Sequence, residues 1–193
     1  MKNGRVLKKL LPFCLIFLLC LSVSGCQQQS SLQSMYSSSS MPTQAACAVY
    51  PGRTLAEAAD YATTIVYGEI TSIQPTCKDV YESPYPDIPA EPLIMTPIQI
   101  SPIEVLKGEN AVTTYKRLGG EFEGVRYTQE GDDRNLAVGQ KILVFLNAHN
   151  YDLGPQYVMV EEDGQVFYED NTTHELVYTS VENYLEMIQE QLA

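Results

Sequence analysis

Two histidines are the side chains best suited to acid–base chemistry in this chain, and neither lies in a catalytic motif. His149 lies in the segment NAHNYD and His174 in NTTHEL. A histidine that activates a serine or cysteine must be brought to that nucleophile. The chain contains no GxSxG, no HExxH and no phosphate-binding glycine loop. We therefore interpret both histidines as surface residues and expect no enzymatic activity, with an enzyme of unrecognised type as an alternative.

Acidic side chains are abundant, but they mark no defined metal site. The chain has 24 aspartates and glutamates, so any pairing of two of them as a glycosidase couple would be arbitrary. The densest groups are Gly131-Asp132-Asp133 and Glu161-Glu162-Asp163. A calcium site needs several oxygens that converge from one loop, and neither group has the spacing of an EF-hand. We assign no metal and no cofactor, and whether these loops bind calcium stays open.

Tyrosines in polar segments are the best candidates for contacts with a ligand or partner. The chain has 13 tyrosines and no tryptophan, and a loop tyrosine is a good anchor for protein or glycan contacts. The alternative is that these rings pack at the edge of the fold. The candidate binding residues in loops are Tyr81, Tyr85, Tyr127, Asp132 and Asp133.

The first 26 residues resemble the signal of a bacterial lipoprotein. Basic residues without any acid precede the apolar stretch Leu10–Leu21, as in a secretory signal. That stretch is shorter than the roughly 20 apolar residues of a membrane-spanning helix. Val23-Ser24-Gly25-Cys26 then resembles a lipobox, which implies cleavage after residue 25 and acylation of Cys26. An ordinary signal peptide with an incidental cysteine is the alternative.

The residues after Cys26 predict a flexible tether and then one domain. Residues 27–44 are mostly Gln and Ser without charge, and such a tract cannot bury enough surface to fold. We predict a signal peptide at 1–25, a lipidated tether at 26–45 and a single domain at 46–193. The protein is then anchored by lipid on the extracytoplasmic face of a bacterial membrane, at the cell surface. The type of envelope stays open.

The net charge of the chain excludes some classes of partner. Loss of residues 1–25 removes four positive charges, which takes the net charge from −12 to −16. Nucleic acid requires basic patches, so we expect no binding to nucleic acid. An envelope or exported protein is the partner that we consider, and the oligomeric state is unknown.

Two cysteines fall within the predicted domain, Cys47 and Cys77. Disulfides persist in exported proteins, so we predict one bridge between this pair, with two free thiols as the alternative. The residues present do not favour a zinc site.

The periodicity of the domain indicates strands enclosed by two helices. A helix is predicted at 54–62, where Thr54 and Glu57 have the spacing of a capping box, and another at 180–192 with Thr179 and Glu182 at the same spacing. A phase change at Ser101-Pro102 indicates a bulge. The predicted strands are 64–73, 93–106, 111–118 and 140–147, with a hairpin over 157–168; long loops are predicted at 75–92 and 119–135.

This order resembles a bacterial extracytoplasmic domain with an OB-like barrel. The matching positions span about residues 55–169 and are Gly68, Thr96, Glu104, Leu106, Lys107, Gly108, Gly139, Leu143, Phe145 and Leu146. Pro102 departs from the family, which usually has an aliphatic residue there. The layout is also similar to the netrin-like domain of the tissue inhibitors of metalloproteinases, whose free N-terminal cysteine binds the catalytic zinc. An acylated Cys26 cannot act in that way.

The resemblance implies a mainly β fold: a small OB-like antiparallel barrel, closed or partly open, with a short N-terminal helix and a C-terminal capping helix. We expect a non-enzymatic binding or adaptor module whose ligand the sequence does not name. The alternative function is inhibition of an exported protease through the loop at 79–91.

Overall fold

The computed structural model describes residues 41–46, 52–80, 92–109, 111–129, 131–132, 134–170, 173 and 175–193. The predicted signal peptide, the lipobox and most of the tether lie outside these residues. So do Cys47, Tyr81, Tyr85, Asp133 and His174, and the predictions made for them stay predictions.

Strands form most of the described domain, which confirms the mainly β class. The two helices are α1, Leu55–Tyr61, and α2, Val181–Leu192. The strands are β1 Thr43–Ala46, β2 Thr64–Ile73, β3 Cys77–Val80, β4 Pro92–Lys107, β5 Thr113–Leu118, β6 Gly120–Phe122, β7 Val125–Gln129, β8 Lys141–Leu146, β9 Val158–Val160, β10 Gln165–Glu169 and β11 Leu176–Ser180.

The described strands form three sheets, and none of them closes into a barrel. The largest has the order β3-β4-β2-β8-β9, with β5 also paired to β4. A second contains β1-β7-β6 and a third β10-β11. The OB-like barrel is therefore not confirmed, because β6 and β7 pair with β1 and leave the largest sheet open.

Strands β2 and β8 are central because both of their faces are buried. Successive residues of a strand point to opposite faces. Tyr67 of β2 and Phe145 of β8 face the helices, whereas Val66 and Val144 face the side of β5. The apolar sequence KILVFL of β8 thus predicts an interior strand correctly.

The predicted bulge lies where β4 crosses Gly68 of β2. Gly68 pairs with Pro102 and Tyr67 pairs with Glu104, so Ile103 is the extra residue. A Cβ on Gly68 would lie 2.4 Å from the carbonyl oxygen of Ser101. Glycine therefore permits the close approach of the two backbones at this bend.

Both helices begin with hydrogen-bonding caps, one of which the sequence places one residue too early. Thr54 caps α1 in a capping box with Glu57, as predicted. Helix α2 is capped by Ser180, whose hydroxyl accepts a hydrogen bond from the amide of Asn183. Thr179 still belongs to β11, which was not predicted, so the assignment of Thr179 as the cap is wrong. The apolar side of α2 packs on the core as expected.

Two predicted loops contain strands. Residues 119–135 hold the hairpin of β6 and β7, and β3 lies within 75–92. The turn at Asp163-Gly164 is present, with φ of 53° and 77°, as in two-residue hairpins. However, the only bridge across this turn among the described residues joins Glu162 to Gln165, and β10 pairs with β11 and not with β9. Among the described helices, none has the length and apolar composition needed to cross a membrane.

Candidate functional site

A pocket of about 370 Å³ lies where β4, β5 and β7 meet Asp132 and residues 134–136. Volumes of this size are common for sites that hold small ligands. Its apolar wall includes Ile98 and Leu136, which belong to the buried cluster on the β5 side of the central strands. The lining residues are Ile73, Thr96, Ile98, Arg117, Leu118, Gly119, Gly120, Glu121, Arg126, Tyr127, Thr128, Gln129, Asp132, Arg134, Asn135 and Leu136.

One wall of the pocket requires glycine at the start of β6. Gly120 has φ of 127°, and a Cβ there would lie 2.2 Å from Thr76 Oγ1 and 2.4 Å from Thr96 Oγ1. The Thr96 hydroxyl donates to the Gly119 carbonyl at 2.8 Å. The Gly119-Gly120 pair therefore lets the chain turn from β5 into β6 next to Thr76 and Thr96.

The floor of the pocket contains a buried chain of charges centred on Asp132. The Asp132 side chain is only 2% exposed. Its Oδ2 accepts from Arg117 Nε at 2.9 Å, and its Oδ1 accepts from Arg134 Nε at 2.8 Å. Both carboxylate oxygens are thus paired with arginines, and the contact with Arg117 fixes Asp132 against β5.

The arginines hold Asp132 in its ionised form. Burial alone raises the pKa of the Asp132 carboxyl, but the hydrogen bonds and charges of Arg134 and Arg117 outweigh it, so this pKa is lowered. Burial alone lowers the pKa of Arg134. The effects of Asp132, Tyr115 and Asp152 outweigh burial, so this pKa is raised. Both shifts favour the charged forms of Asp132 and Arg134 in the folded protein.

Arg134 also connects the pocket to the segment before β9. Its Nη1 donates to the carbonyl oxygen of Pro155 at 2.7 Å and to that of Val158. Behind it, the buried Tyr115 hydroxyl donates to Asp152 Oδ2 at 2.8 Å. Burial raises the pKa of Asp152, against the effects of Tyr115, Arg134 and Gly154. Hydrogen bonds therefore hold Arg134, Tyr115 and Asp152 in place beside the pocket.

Gln129, at the end of β7, is the main exception to this pattern of paired groups, and Nη2 of Arg134 also lacks a partner among the described residues. Gln129 is 5% exposed and lines the pocket. Among the described residues, neither its Nε2 nor its Oε1 has a hydrogen-bond partner. Buried polar groups are paired in the great majority of cases, and an unpaired one is costly. A donor and an acceptor of one amide are thus left available next to the pocket.

The pocket is locally less acidic than the chain that contains it. Arg117 and Arg134 share the single carboxylate of Asp132, while Arg126 pairs with Glu121 at 2.6 Å on the exposed rim. In a chain of net charge −12, this arrangement presents hydrogen-bond donors and no unpaired carboxylate among the described lining residues. A polar, neutral or anionic group fits it better than a cation.

Of the five residues predicted as binding residues, two line the pocket and three lie outside the described residues. Tyr127 lines the pocket, but it lies on β7 and is half-buried, so its placement in a loop is wrong. Asp132 also lines the pocket, where both of its carboxylate oxygens are paired with arginines. His149 is exposed in a turn, as predicted. Tyr81, Tyr85 and Asp133 lie outside the described residues.

The described half of the predicted disulfide, Cys77, forms no disulfide with another described residue. Its Sγ lies 4.0 Å from Met95 Sδ on β4. Cys47 lies outside the described residues, so the bridge stays a prediction. Within the described ranges, no group of three or more His, Cys, Asp or Glu side chains could hold a metal ion.

Sequence reasoning missed Gln129 and the three arginines that line the pocket. A usable signal existed, because Arg117, Arg126 and Arg134 concentrate in one short segment of a strongly acidic chain. Their spacing follows neither a strand nor a helix, since they lie on two different strands and a connecting segment. Only the pairing of β4 with β5 and of β6 with β7 brings them together.

The comparisons with known proteins give no relative for this fold or pocket. The chain matches no protein-family model, no curated protein and no solved structure. The function is therefore inferred from the pocket residues and from the N-terminal segment of the sequence.

Proposed function

We propose that this chain is a lipid-anchored, extracytoplasmic binding protein without enzymatic activity, and that the pocket at Gln129 holds its ligand. The anchor is supported by the lipobox-like segment that ends at Cys26 and by the uncharged tether after it. The binding role is supported by one observation above all, the unpaired amide of Gln129 beside the pocket. The bend of β4 against β2 supports a remote likeness to OB-like domains.

The amide of Gln129 defines the chemistry of the ligand. It offers an N–H donor and a C=O acceptor, and both are satisfied at once by a group that carries an acceptor and a donor on neighbouring atoms of one edge. Primary amides and lactams have this edge. A trans peptide group does not, because its N–H and C=O point in opposite directions. The apolar side chains of Ile98, Leu118 and Leu136 suit a hydrocarbon portion of such a molecule.

A titration of the acylated protein in detergent with δ-valerolactam tests this proposal. The resonances of the Gln129 side-chain amide are followed by NMR. We expect them to shift in a saturable way, with a dissociation constant in the millimolar range. The matched probe is N-methyl-δ-valerolactam, which keeps the carbonyl and the ring but lacks the N–H, and it should bind more weakly.

A variant pair distinguishes the pocket from general association. Gln129→Leu should abolish the saturable shifts of neighbouring backbone amides. Gln189→Leu makes the same chemical change on the exposed side of α2, where Gln189 Nε2 donates to Glu104, and it should bind as the wild type does. Equal responses to the two lactams, or to the two variants, would overturn the assignment of the ligand to this pocket.

A further inference from the structure

Strand β1 is attached to the domain through its pairing with β7, and the side chains of residues 43–45 are exposed. It is the outer strand of the sheet β1-β7-β6 and runs parallel to β7. The residues from Met41 to Ala45 are all exposed. The only hydrogen bond of the Thr43 hydroxyl within the described residues returns to the carbonyl of Met41, in the same segment.

The pairing with β7 is regular despite this exposure. Thr43 is opposite Arg126 and Ala45 is opposite Thr128. Directly before β1, the Pro42 carbonyl oxygen accepts a hydrogen bond from the Arg126 amide at 2.9 Å. The contact is thus a ladder of main-chain hydrogen bonds, which depends little on the identity of the side chains.

Such a strand is weakly held. A hydrogen bond between backbone groups replaces hydrogen bonds to water, so its net contribution is small and comparable to the cost of ordering one residue. The interior strands add burial of apolar side chains to this balance, whereas the exposed side chains of β1 do not. Release of β1 would leave the edge of β7 with unpaired N–H and C=O groups, ready to pair with another extended segment.

We propose that β1 exchanges between two copies of this chain, so that the Thr43–Ala46 strand of each copy pairs with β7 of the other. The occupant is a second copy because its β1 makes the same contact that is observed within one molecule, and no new complementarity is required. A reciprocal exchange also closes on itself as a two-fold dimer. Residues 47–54 keep each released strand connected to its own helix α1.

Disulfide trapping between two differently tagged copies tests the exchange. Both full-length copies are expressed together, with Cys47 and Cys77 replaced by serine and Cys26 kept. One copy carries Thr43→Cys and the other carries Arg126→Cys, two exposed and opposite positions. The control pair combines Thr43→Cys with Val112→Cys, since Val112 is 62% exposed and is not part of the β7 edge.

We expect on the order of tenfold more mixed-tag disulfide dimer from the first pair than from the control pair, because the edge holds the two sulfurs close together. Excess synthetic peptide MPTQAA should reduce this yield to that of the control. Equal yields from both pairs would overturn the proposal. It would also be overturned if one chain with both substitutions bridged only internally while the mixed pair gave no dimer.

Discussion

Asp132 Oδ1 accepts a hydrogen bond from Arg134 Nε at 2.8 Å in a place where the aspartate side chain is only 2% exposed. The same carboxylate holds Arg117 through its other oxygen. Asp132 thus joins β5 to the segment after β7, and Arg134 extends this connection to the carbonyl oxygens of Pro155 and Val158. The pocket depends on these contacts.

Replacement of Asp132 by asparagine should strongly destabilise the fold. The variant leaves Arg117 and Arg134 without their counter-charge, and both side chains are mostly buried, with exposures of 22% and 16%. Loss of one partner from a buried ion pair costs about 3–5 kcal/mol, and we expect the lower end because the arginines retain some contact with water. Urea unfolding measures the change.

Glu121→Gln is the control for that experiment. It removes an ion pair with Arg126 in which both side chains are more than half exposed. Such pairs contribute less than about 1 kcal/mol. Similar losses for the two variants would contradict the central place given to Asp132.

The effect of Asp132→Asn should depend on pH. Because the folded-state pKa of Asp132 is lowered, its charge contributes stability above the ordinary aspartate pKa of about 3.9, and this contribution is lost as the pH falls from there through the folded-state pKa. The difference in unfolding free energy between wild type and variant should therefore be constant near neutral pH and shrink below about pH 4. A difference in unfolding free energy that stays the same at pH 3 would mean that the ionised carboxylate of Asp132 does not stabilise the fold.

Gly68→Ala should destabilise the protein at the bend of β4. The added Cβ would meet the Ser101 carbonyl at 2.4 Å and Ile100 Cγ2 at 2.7 Å. Overpacking of this kind costs about 1–3 kcal/mol. Gly52→Ala, where nothing lies within 4 Å, should change stability by less than about 0.5 kcal/mol. Thermal unfolding of the two variants compares them directly.

Cys26→Ala should release the protein from the membrane. If Cys26 carries the acyl chains, its loss removes the anchor, and the domain has no described helix that could replace it. Fractionation of cells, with mass spectrometry of the N-terminal peptide, tests this. Cys47→Ala should stay in the membrane fraction. Retention of Cys26→Ala there, or an unmodified Cys26 peptide from the wild type, would contradict the lipoprotein assignment.

Local patterns explain which elements were predictable. The apolar run of β8, the β-branched run of β2 and the capping box of Thr54 and Glu57 are signals carried by neighbouring residues, and the structure confirms all three. The bulge at Ser101-Pro102 was visible because the hydrophobic phase changes there.

The elements that were missed depend on distant partners. β6 and β7 are short and mostly polar, and they form strands by pairing with each other and, for β7, with β1. β11 is half exposed and is defined by its pairing with β10. Gln129 and Arg134 are brought into one site by these pairings, so the concentration of arginines between residues 117 and 134 could indicate a site but could not show its geometry or include Gln129.

The central claim is that Gln129 is kept for a ligand and not for the fold, and a paired measurement on Gln129→Leu tests it most directly. Urea unfolding and the δ-valerolactam titration are done on the same preparation. Since a buried unpaired polar group costs about 1–3 kcal/mol, the account predicts a variant at least as stable as the wild type that no longer binds the lactam. A variant that loses stability and still binds the lactam would contradict it.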